Sequence, residues 1–575
     1  MVCEIPAHKL PDPLWTSKSE IIANSNRFPP LLLNAVHMGD KEVVELLLAR
    51  EGAPVNEAMP EIGDTSLIIA AENENEAIVE LLLRQSNILV NKANKDDETP
   101  LTIAARIGNN KVVKLLLGHK DIKINKANLS GSSPLFIAAD WGHQKVVELL
   151  LGVEDIRVNE VLPYSLYTPL MIAVTKRHVQ ISEQLLTHRY IRINKANKGG
   201  VTSLHIAATM GNDKLVDLLL KHKDIEVNIA NEHGFTPLLT AAFHGHEGVV
   251  KALLGNDRTK VNHQDIAGSS PLHLASQEGH EGVVRLLLGM EGILLNQRNM
   301  NGETPLHEAV ERGHHSVTKQ LLAEEHIDVN IATNDGATPL FTAALNRHDK
   351  VVQLLLAHDC IDVNKATFNG ATPLHIAAQG GHNNVVKLLL AHECIDVNKT
   401  TLDGATPLHY AAQDGHDNVV ELLLAHECID VNKATRNGTT PLFCAANRGR
   451  VQEVELLLKH KDTQVNKATK SGFTPLHTAK LEGHSEVVSL ILKQVKKPLT
   501  EKQTCIVCLD RETDVALVPC GHQNLCGPCA HQIDEDGKRC PTDRIEIIEI
   551  VPLEAEEGPA RKKQRLSSQS ILILD

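Results

Sequence analysis

A signature of Thr or Ser, then Pro and Leu, returns at a fixed interval along most of this chain, and that regularity limits the fold more than any other feature. Its proline falls at Pro100, Pro134, Pro169, Pro237, Pro271, Pro305, Pro339, Pro373, Pro407, Pro441 and Pro475. Ser66 and Ser203 fill the proline place in two further copies, and Pro30 opens a degenerate first one. The interval is 34 residues from Ser66 onward, with a single step of 35 between Pro134 and Pro169. About 14 copies therefore run over residues 29–494 of the 575. A period of this length marks an array of small supersecondary units, not a set of independent globular cores.

One copy explains the others. Thr372 is placed to cap a helix, and Pro373 takes the first helical position, where a missing N–H costs nothing. Leu374, Ala377 and Ala378 form a short apolar stripe, which Gly380-Gly381 ends. Val385-Val386-Lys387-Leu388-Leu389-Leu390 predicts a second, more apolar helix. Ile395-Asp396-Val397-Asn398 follows, and then Asp403-Gly404, a turn signal that projects a loop sideways. Neither helix is long enough to hold in water alone. Stacking on the next copy buries both stripes and predicts a solenoid held by nearest-neighbour contacts. Alanines let the helices approach closely, which accounts for a chain with only 8 Phe, 4 Tyr and 2 Trp.

Thr372-Pro373-Leu374-His375-Ile376-Ala377-Ala378, Gly381-His382 and the Val-Val-x-Leu-Leu-Leu helix together resemble the ankyrin repeat. The resemblance covers roughly four fifths of the chain. It implies a protein-binding array without catalysis of its own, with the partner on the concave face made by first helices and loop tips. Asp97 and Leu166 stand where the turn glycine belongs, and the copy holding Leu166 also has the extra residue. A local bend or a looser turn is expected at both.

Most of the 31 His fall at repeat positions, such as His205, His273, His307, His375, His409 and His477, or His280, His382 and His416 after the turn glycine. They read as hydrogen bonds between loops and adjacent copies. His307-Glu308 opens like a zinc-protease helix, but Glu311 stands where the second His is required. Cys360, Cys394 and Cys428 recur one copy apart. Packed helices lie about 8–10 Å apart, beyond the roughly 7 Å that a disulfide bridges between Cα atoms. Free thiols in loops are therefore expected, and Cys3 and Cys444 also read as unpaired.

The net charge of −14 argues against direct nucleic-acid binding. No run approaches the ~18 apolar residues of a membrane span, and the N-terminus lacks a basic stretch followed by an apolar one. The chain thus reads as cytoplasmic, without a membrane partner, and residues 1–28 read as a flexible segment.

After Lys496-Lys497-Pro498 the period stops, so residues 495–504 read as a linker. Then come Cys505-x2-Cys508, Cys520-x-His522, Cys526-x2-Cys529 and Cys540-x2-Asp543, with six of the 11 Cys between Cys505 and Cys540. In a reducing compartment such a cluster holds metal, not disulfides. Zinc takes four ligands in a tetrahedron, so these eight candidates fit two closed structural sites. A segment this small buries too little core, and each ion would supply on the order of 10 kcal/mol of folding energy.

The order Cys-Cys-Cys-His-Cys-Cys-Cys-Asp, with Pro519-Cys520-Gly521-His522 at its centre, resembles a RING finger of the inhibitor-of-apoptosis and Mind bomb type over residues 505–551. The resemblance implies interleaved sites: Cys505, Cys508, Cys526 and Cys529 for one ion, Cys520, His522, Cys540 and Asp543 for the other. Asp543 departs from the usual Cys, though a carboxylate is an acceptable zinc ligand. Ubiquitin transfer is the activity implied, with the RING docking a conjugating enzyme already charged with ubiquitin. Ile506 and Pro541 match the residues that touch that enzyme. Arg544 matches the cation that bonds both ubiquitin and its carrier, a task suited to a guanidinium with several fixed donors. Residues 545–551 alternate apolar and acidic side chains in part and read as a closing strand, which in similar RINGs also supports a homodimer. Residues 552–575 read as a disordered tail, in which Arg561-Lys562-Lys563-Gln564-Arg565 is either a nuclear localisation signal or a solvated charge run.

The expected architecture is thus a mostly α ankyrin-repeat solenoid followed by a small zinc-bound α+β RING domain. The expected function is that of a ubiquitin-protein ligase whose array selects the substrate protein. The alternative is a non-enzymatic scaffold or adaptor with a structural zinc module. Elemental analysis of the purified protein should find two zinc ions per chain; fewer would remove one of the interleaved sites.

Overall fold

The computed structural model describes residues 31–495 and the backbone of two strands, Val515–Val518 and Glu549–Pro552. The segment 1–28 lies outside the described residues, as do the linker beyond 495 and the tail beyond 552. Between 31 and 495 the chain forms twenty-eight α-helices in fourteen successive pairs, from Leu31–His37 with Lys41–Leu48 to Pro475–Leu481 with Ser485–Val495. None of the described helices is long and apolar enough to cross a membrane.

The chain divides into two compact units, residues 1–271 with 286–293 and residues 272–285 with 294–575. Seven helix pairs lie wholly in the first unit and six in the second; the pair Pro271–Gln277 and Glu281–Leu288 is split between them. Within each unit, first helices pack on first helices and second helices on second helices of the neighbouring copy.

The copy around Thr372 shows why. Thr372 is extended (φ −96°, ψ 170°) and caps the helix Pro373–Gln379, which opens on its proline. Gly381 takes φ +66°, and the helix Asn383–Leu390 follows. Leu374, Ala377, Ala378, Val385, Val386 and Leu389 are all fully buried. A methyl group at Gly381 would lie 2.6 Å from Nδ1 of His416 in the next copy, so close approach as well as backbone sign requires glycine there.

Polar side chains stitch each copy to the next. In the first unit, His143 Nε2 meets the Arg106 carbonyl at 2.8 Å and His246 Nε2 the Thr209 carbonyl at 2.9 Å. In the second, His314 and His416 meet the carbonyls of Gln277 and Gln379, each at 2.8 Å. Arg450 takes the histidine's place and donates Nε to the Gln413 carbonyl at 3.1 Å. These bonds satisfy carbonyls that a helix end leaves without a partner. They bear out the reading of the recurrent histidines.

A second ladder escaped the sequence reading. Asn364 donates Nδ2 to the Cys394 carbonyl at 2.6 Å and accepts from the Asp396 N–H at 2.8 Å. Asn398 does the same with Cys428 (2.6 Å) and Asp430 (2.8 Å). In the first unit, Asn91 bridges Asp121 (2.6 Å) and Lys123 (2.7 Å). The Val-Asn pair repeats with the period, but only the stacked copies give its amide two backbone partners.

The two departures at the turn glycine come out differently. Asp97 keeps the ordinary turn: its φ of +58° is left-handed, and its N–H reaches the Asn94 carbonyl at 3.1 Å, as Gly370 reaches Thr367 at 2.8 Å. Leu166, at φ +57°, reaches one residue further back, to the Leu162 carbonyl at 2.9 Å. The extra residue of that copy thus sits in a wider loop, and the expected looser turn is found only there. A left-handed non-glycine residue costs roughly 1–2 kcal/mol, partly offset by the greater chain entropy that glycine loses. Leu166→Gly should therefore stabilise this loop by about 1 kcal/mol, read as slower hydrogen exchange of amides 162–168.

His205, His307, His375 and His409 each close a capping box with the threonine three residues earlier. The Thr372 N–H donates to His375 Nδ1 at 3.1 Å, so the ring is neutral there and its Nε2–H donates to the Ala405 carbonyl of the next copy, also at 3.1 Å. Burial pushes His307, His375 and His409 down to about 4 from an ordinary 6.5. Between those values the unfolded chain binds more protons than the folded one, so stability is fully present above about 6.5 and is lost as pH falls toward 4, by about 3 kcal/mol per ring. Amides of the helices Pro373–Gln379 and Pro407–Asp414 should open more readily at pH 5.0 than at pH 7.5, as checked by hydrogen exchange corrected for its intrinsic pH dependence.

Candidate functional site

Two regions are candidates for a functional site: the face carrying the first helices and loop tips, and the C-terminal cysteine cluster. The loop tips are joined copy to copy by backbone bonds. In the second unit Asn334 N–H meets the Asn301 carbonyl at 2.9 Å, Phe368 that of Asp335 at 3.4 Å and Leu402 that of Asn369 at 2.8 Å. These bonds set equivalent side chains one copy apart and leave them in solvent. Phe368 is 73% exposed and Leu402 60%, with Leu345 on an adjoining first helix at 47%. The first unit exposes Leu129, Tyr164 and Trp141 on its own loops and helices.

A cavity of about 580 Å³ opens on this face of the second unit, and its walls include Glu303, His307, Glu311, Asp335, Phe341 and Leu345. No lysine or arginine lines it. Glu303 accepts from the side-chain amides of Asn299 (2.9 Å) and Asn301 (3.2 Å). Glu308, buried at 6% exposure, accepts from Asn299 at 3.2 Å. Burial first, and then the neighbouring Glu303 and Glu311, push its carboxyl up to about 7. Asp335 accepts from the Thr333 hydroxyl, which holds its carboxyl below the ordinary value. The sequence reading weighed Glu308 only as part of a failed metal motif. The signal it passed over is that a carboxylate stands where other copies carry Ile376 and Tyr410.

Cys360, Cys394 and Cys428 are exposed free thiols, as expected; Cys3 lies outside the described residues. Cys444 is also free, and burial pushes it up to about 11, which leaves it protonated and unreactive. Among the described residues, no three His, Cys, Asp or Glu side chains are grouped to hold a metal ion.

At the C-terminal end, strand Val515–Val518 pairs antiparallel with strand Glu549–Pro552, Ala516 opposite Val551. The pairing brings the two ends of segment 519–548 together, and the expected closing strand is described from Glu549 onward. The candidate ligands Cys505, Cys508, Cys520, His522, Cys526, Cys529, Cys540 and Asp543 lie outside the described residues, as do Ile506, Pro541 and Arg544. The donor chemistry still fits zinc, since six thiols, one imidazole and one carboxylate are all accepted zinc ligands.

Comparison with known proteins matches this division. Seven successive, slightly overlapping segments spanning residues 20–501 match the ankyrin-repeat model, and residues 501–550 match the zinc finger of C3HC4 type, the RING finger. The mouse E3 ubiquitin-protein ligase NEURL3 is 41% identical over 59 residues, 10% of this chain and 23% of that one. The probable E3 ubiquitin-protein ligase LUL3 of Arabidopsis thaliana is 35% identical over 59 residues, 10% of this chain and 16% of that one. The chain thus spans only about a fifth of the length of the curated relatives it matches. Among solved structures, the ankyrin repeat domain of Bcl-3, a member of the IkappaB family, is 30% identical, with a TM-score of 0.36 over 39% of this chain and 99% of that one. With the repeat model matched over far more than half its length, the chain belongs to the ankyrin-repeat family and carries a C3HC4-type RING finger at its C-terminal end.

Proposed function

We propose that this protein is a RING-type ubiquitin-protein ligase. The observation that carries the reading is the match of residues 501–550 to the C3HC4 RING finger, in a chain whose other matched part is a protein-binding repeat family. The names of the relatives, E3 ubiquitin-protein ligases, support it. In this reading Cys505, Cys508, Cys526 and Cys529 hold one zinc ion and Cys520, His522, Cys540 and Asp543 the other. The metal's contribution is structural: it supplies the folding energy that a core this small lacks.

The chain's own residues then act by positioning. Ile506 and Pro541 give an apolar contact for the charged conjugating enzyme. The Arg544 guanidinium donates to ubiquitin and to its carrier together, holding the thioester in one reactive arrangement. A substrate lysine, as the free amine, attacks the thioester carbon; an amide bond forms, the carbon–sulfur bond breaks, and the sulfur leaves on the conjugating enzyme as a thiol that carries the proton the amine gives up. The array holds the protein that carries that lysine. No covalent intermediate forms on this chain.

One observation favours a second reading, a non-enzymatic scaffold or adaptor. The eighth ligand place holds Asp543 where a C3HC4 finger has cysteine, and a weaker second site would leave only a structural module. Incubation with ubiquitin, activating and conjugating enzymes, ATP and zinc separates the two. The ligase reading expects autoubiquitination, slowed about tenfold by Arg544→Ala, the loss of ~1.4 kcal/mol of transition-state stabilisation. Bound zinc with no transfer across a panel of conjugating enzymes would establish the scaffold instead. Full activity in Arg544→Ala would remove that residue from the mechanism.

A further inference from the structure

In the second unit, charge and apolar exposure follow one another along the same face. The cavity walls carry Glu303, Glu311 and Asp335, with buried Glu308 close by; no lysine or arginine lines it, and Arg312 acts on Glu308 from outside the walls. Arg298 donates instead to the Gly302 and Ala332 carbonyls and to Asn334 Oδ1. Leu345 and Phe341 give the same cavity an apolar wall. One copy further along stands Phe368 and another copy along Leu402, large apolar side chains at 73% and 60% exposure. Exposed apolar groups in a row, next to a carboxylate-walled cavity lined by no lysine or arginine, fit a partner that carries the complementary series.

We propose that this face docks an extended segment of the substrate protein, in which a lysine or arginine enters the Glu303–Glu311–Asp335 cavity and two apolar side chains follow onto Phe368 and Leu402. The proposal deepens the reading of the array as the substrate-binding part, and rests on it. The spacing follows from the repeat. Equivalent positions in neighbouring copies lie about 10 Å apart, as packed helices do, and an extended segment of polyproline II form rises about 3.1 Å per residue with every third side chain on the same side. The cation and the two apolar anchors therefore fall about three residues apart, read in either chain direction. Neighbouring carboxylates repel one another and Glu308 is already buried, so a cation in the cavity relieves like-charge repulsion that the free face carries.

A random decapeptide phage library selected on the full-length protein tests this, with the Glu303→Gln/Glu311→Gln and Phe368→Ser/Leu402→Ser variants as controls. The substituted side chains lie on the face and not in the helix core, and circular dichroism checks that each variant keeps its helices. The expected result is enrichment of lysine or arginine with apolar residues about three and six positions away. The best peptide should bind each variant at least tenfold more weakly. Enrichment of acidic or cation-free peptides would overturn the proposal, as would binding to either variant as tight as to the unsubstituted protein, or no enrichment at all. The selection contains no ubiquitin or conjugating enzyme, so its failure leaves the ligase reading standing, and loss of ubiquitin transfer leaves the peptide result standing.

Discussion

Contact between one copy and the next is the interaction on which everything else here depends. A helix of seven to eleven residues does not hold in water, and each copy offers only two of them. Leu374, Ala377, Val386 and Leu389 become a core only because neighbouring copies supply the atoms that exclude water from them. The polar side follows the same rule. His416 and Asn398 make their bonds across copies, so a copy taken alone would leave helix-end carbonyls and loop amides without partners.

That dependence separates the residues that must recur from those free to differ. Positions buried between copies repeat with little change, because a wrong volume there is felt on both sides. Loop tips and the outward turn of the first helix touch no neighbouring core, and there the copies diverge: Met300, Asn334, Phe368, Leu402 and Arg436 occupy equivalent places. Glu308 is the exception that tests the rule. It stands at a largely covered position and takes the desolvation penalty, while its carboxylate accepts a hydrogen bond from Asn299. The stable part of each copy thus works as a frame, and the copies differ at residues the frame does not constrain.

Much of this was legible in the residues, because its causes are local. Thr372 before Pro373, glycine at 381 and the spacing of Leu374, Ala377 and Ala378 act within a few residues of themselves. Each appeared in the structure as read. Asp97 keeps an ordinary turn where a looser one is expected, because the left-handed backbone is set by the loop's hydrogen bonds and Asp97 adopts it as glycine does. Asn398 belongs to a recurring Ile-Asp-Val-Asn whose pattern shows no task for its amide, since both partners of that amide belong to the following copy. Glu308 was read against a metal motif, and its burial beside Glu303 and Glu311 depends on packing that no spacing displays. The cysteine cluster is the reverse case: there the donor types and spacings carry the reading, and the structure adds the strand pair that joins the ends of segment 519–548.

By itself, then, the sequence determined the repeating unit, its helix starts and stops, its tolerance of few aromatics, and the cysteine and histidine spacing of a zinc finger. All of these follow from short-range chemistry: a proline's missing N–H, a glycine's missing Cβ, thiols two residues apart. Tertiary structure alone decided which polar groups bridge one copy to the next. It also decided which histidines are held neutral, where a carboxylate is buried, and which apolar side chains stay in water. The physical reason is that hydrogen-bond partners and desolvation come from atoms about thirty residues distant in the chain, and only stacking brings them within 3 Å.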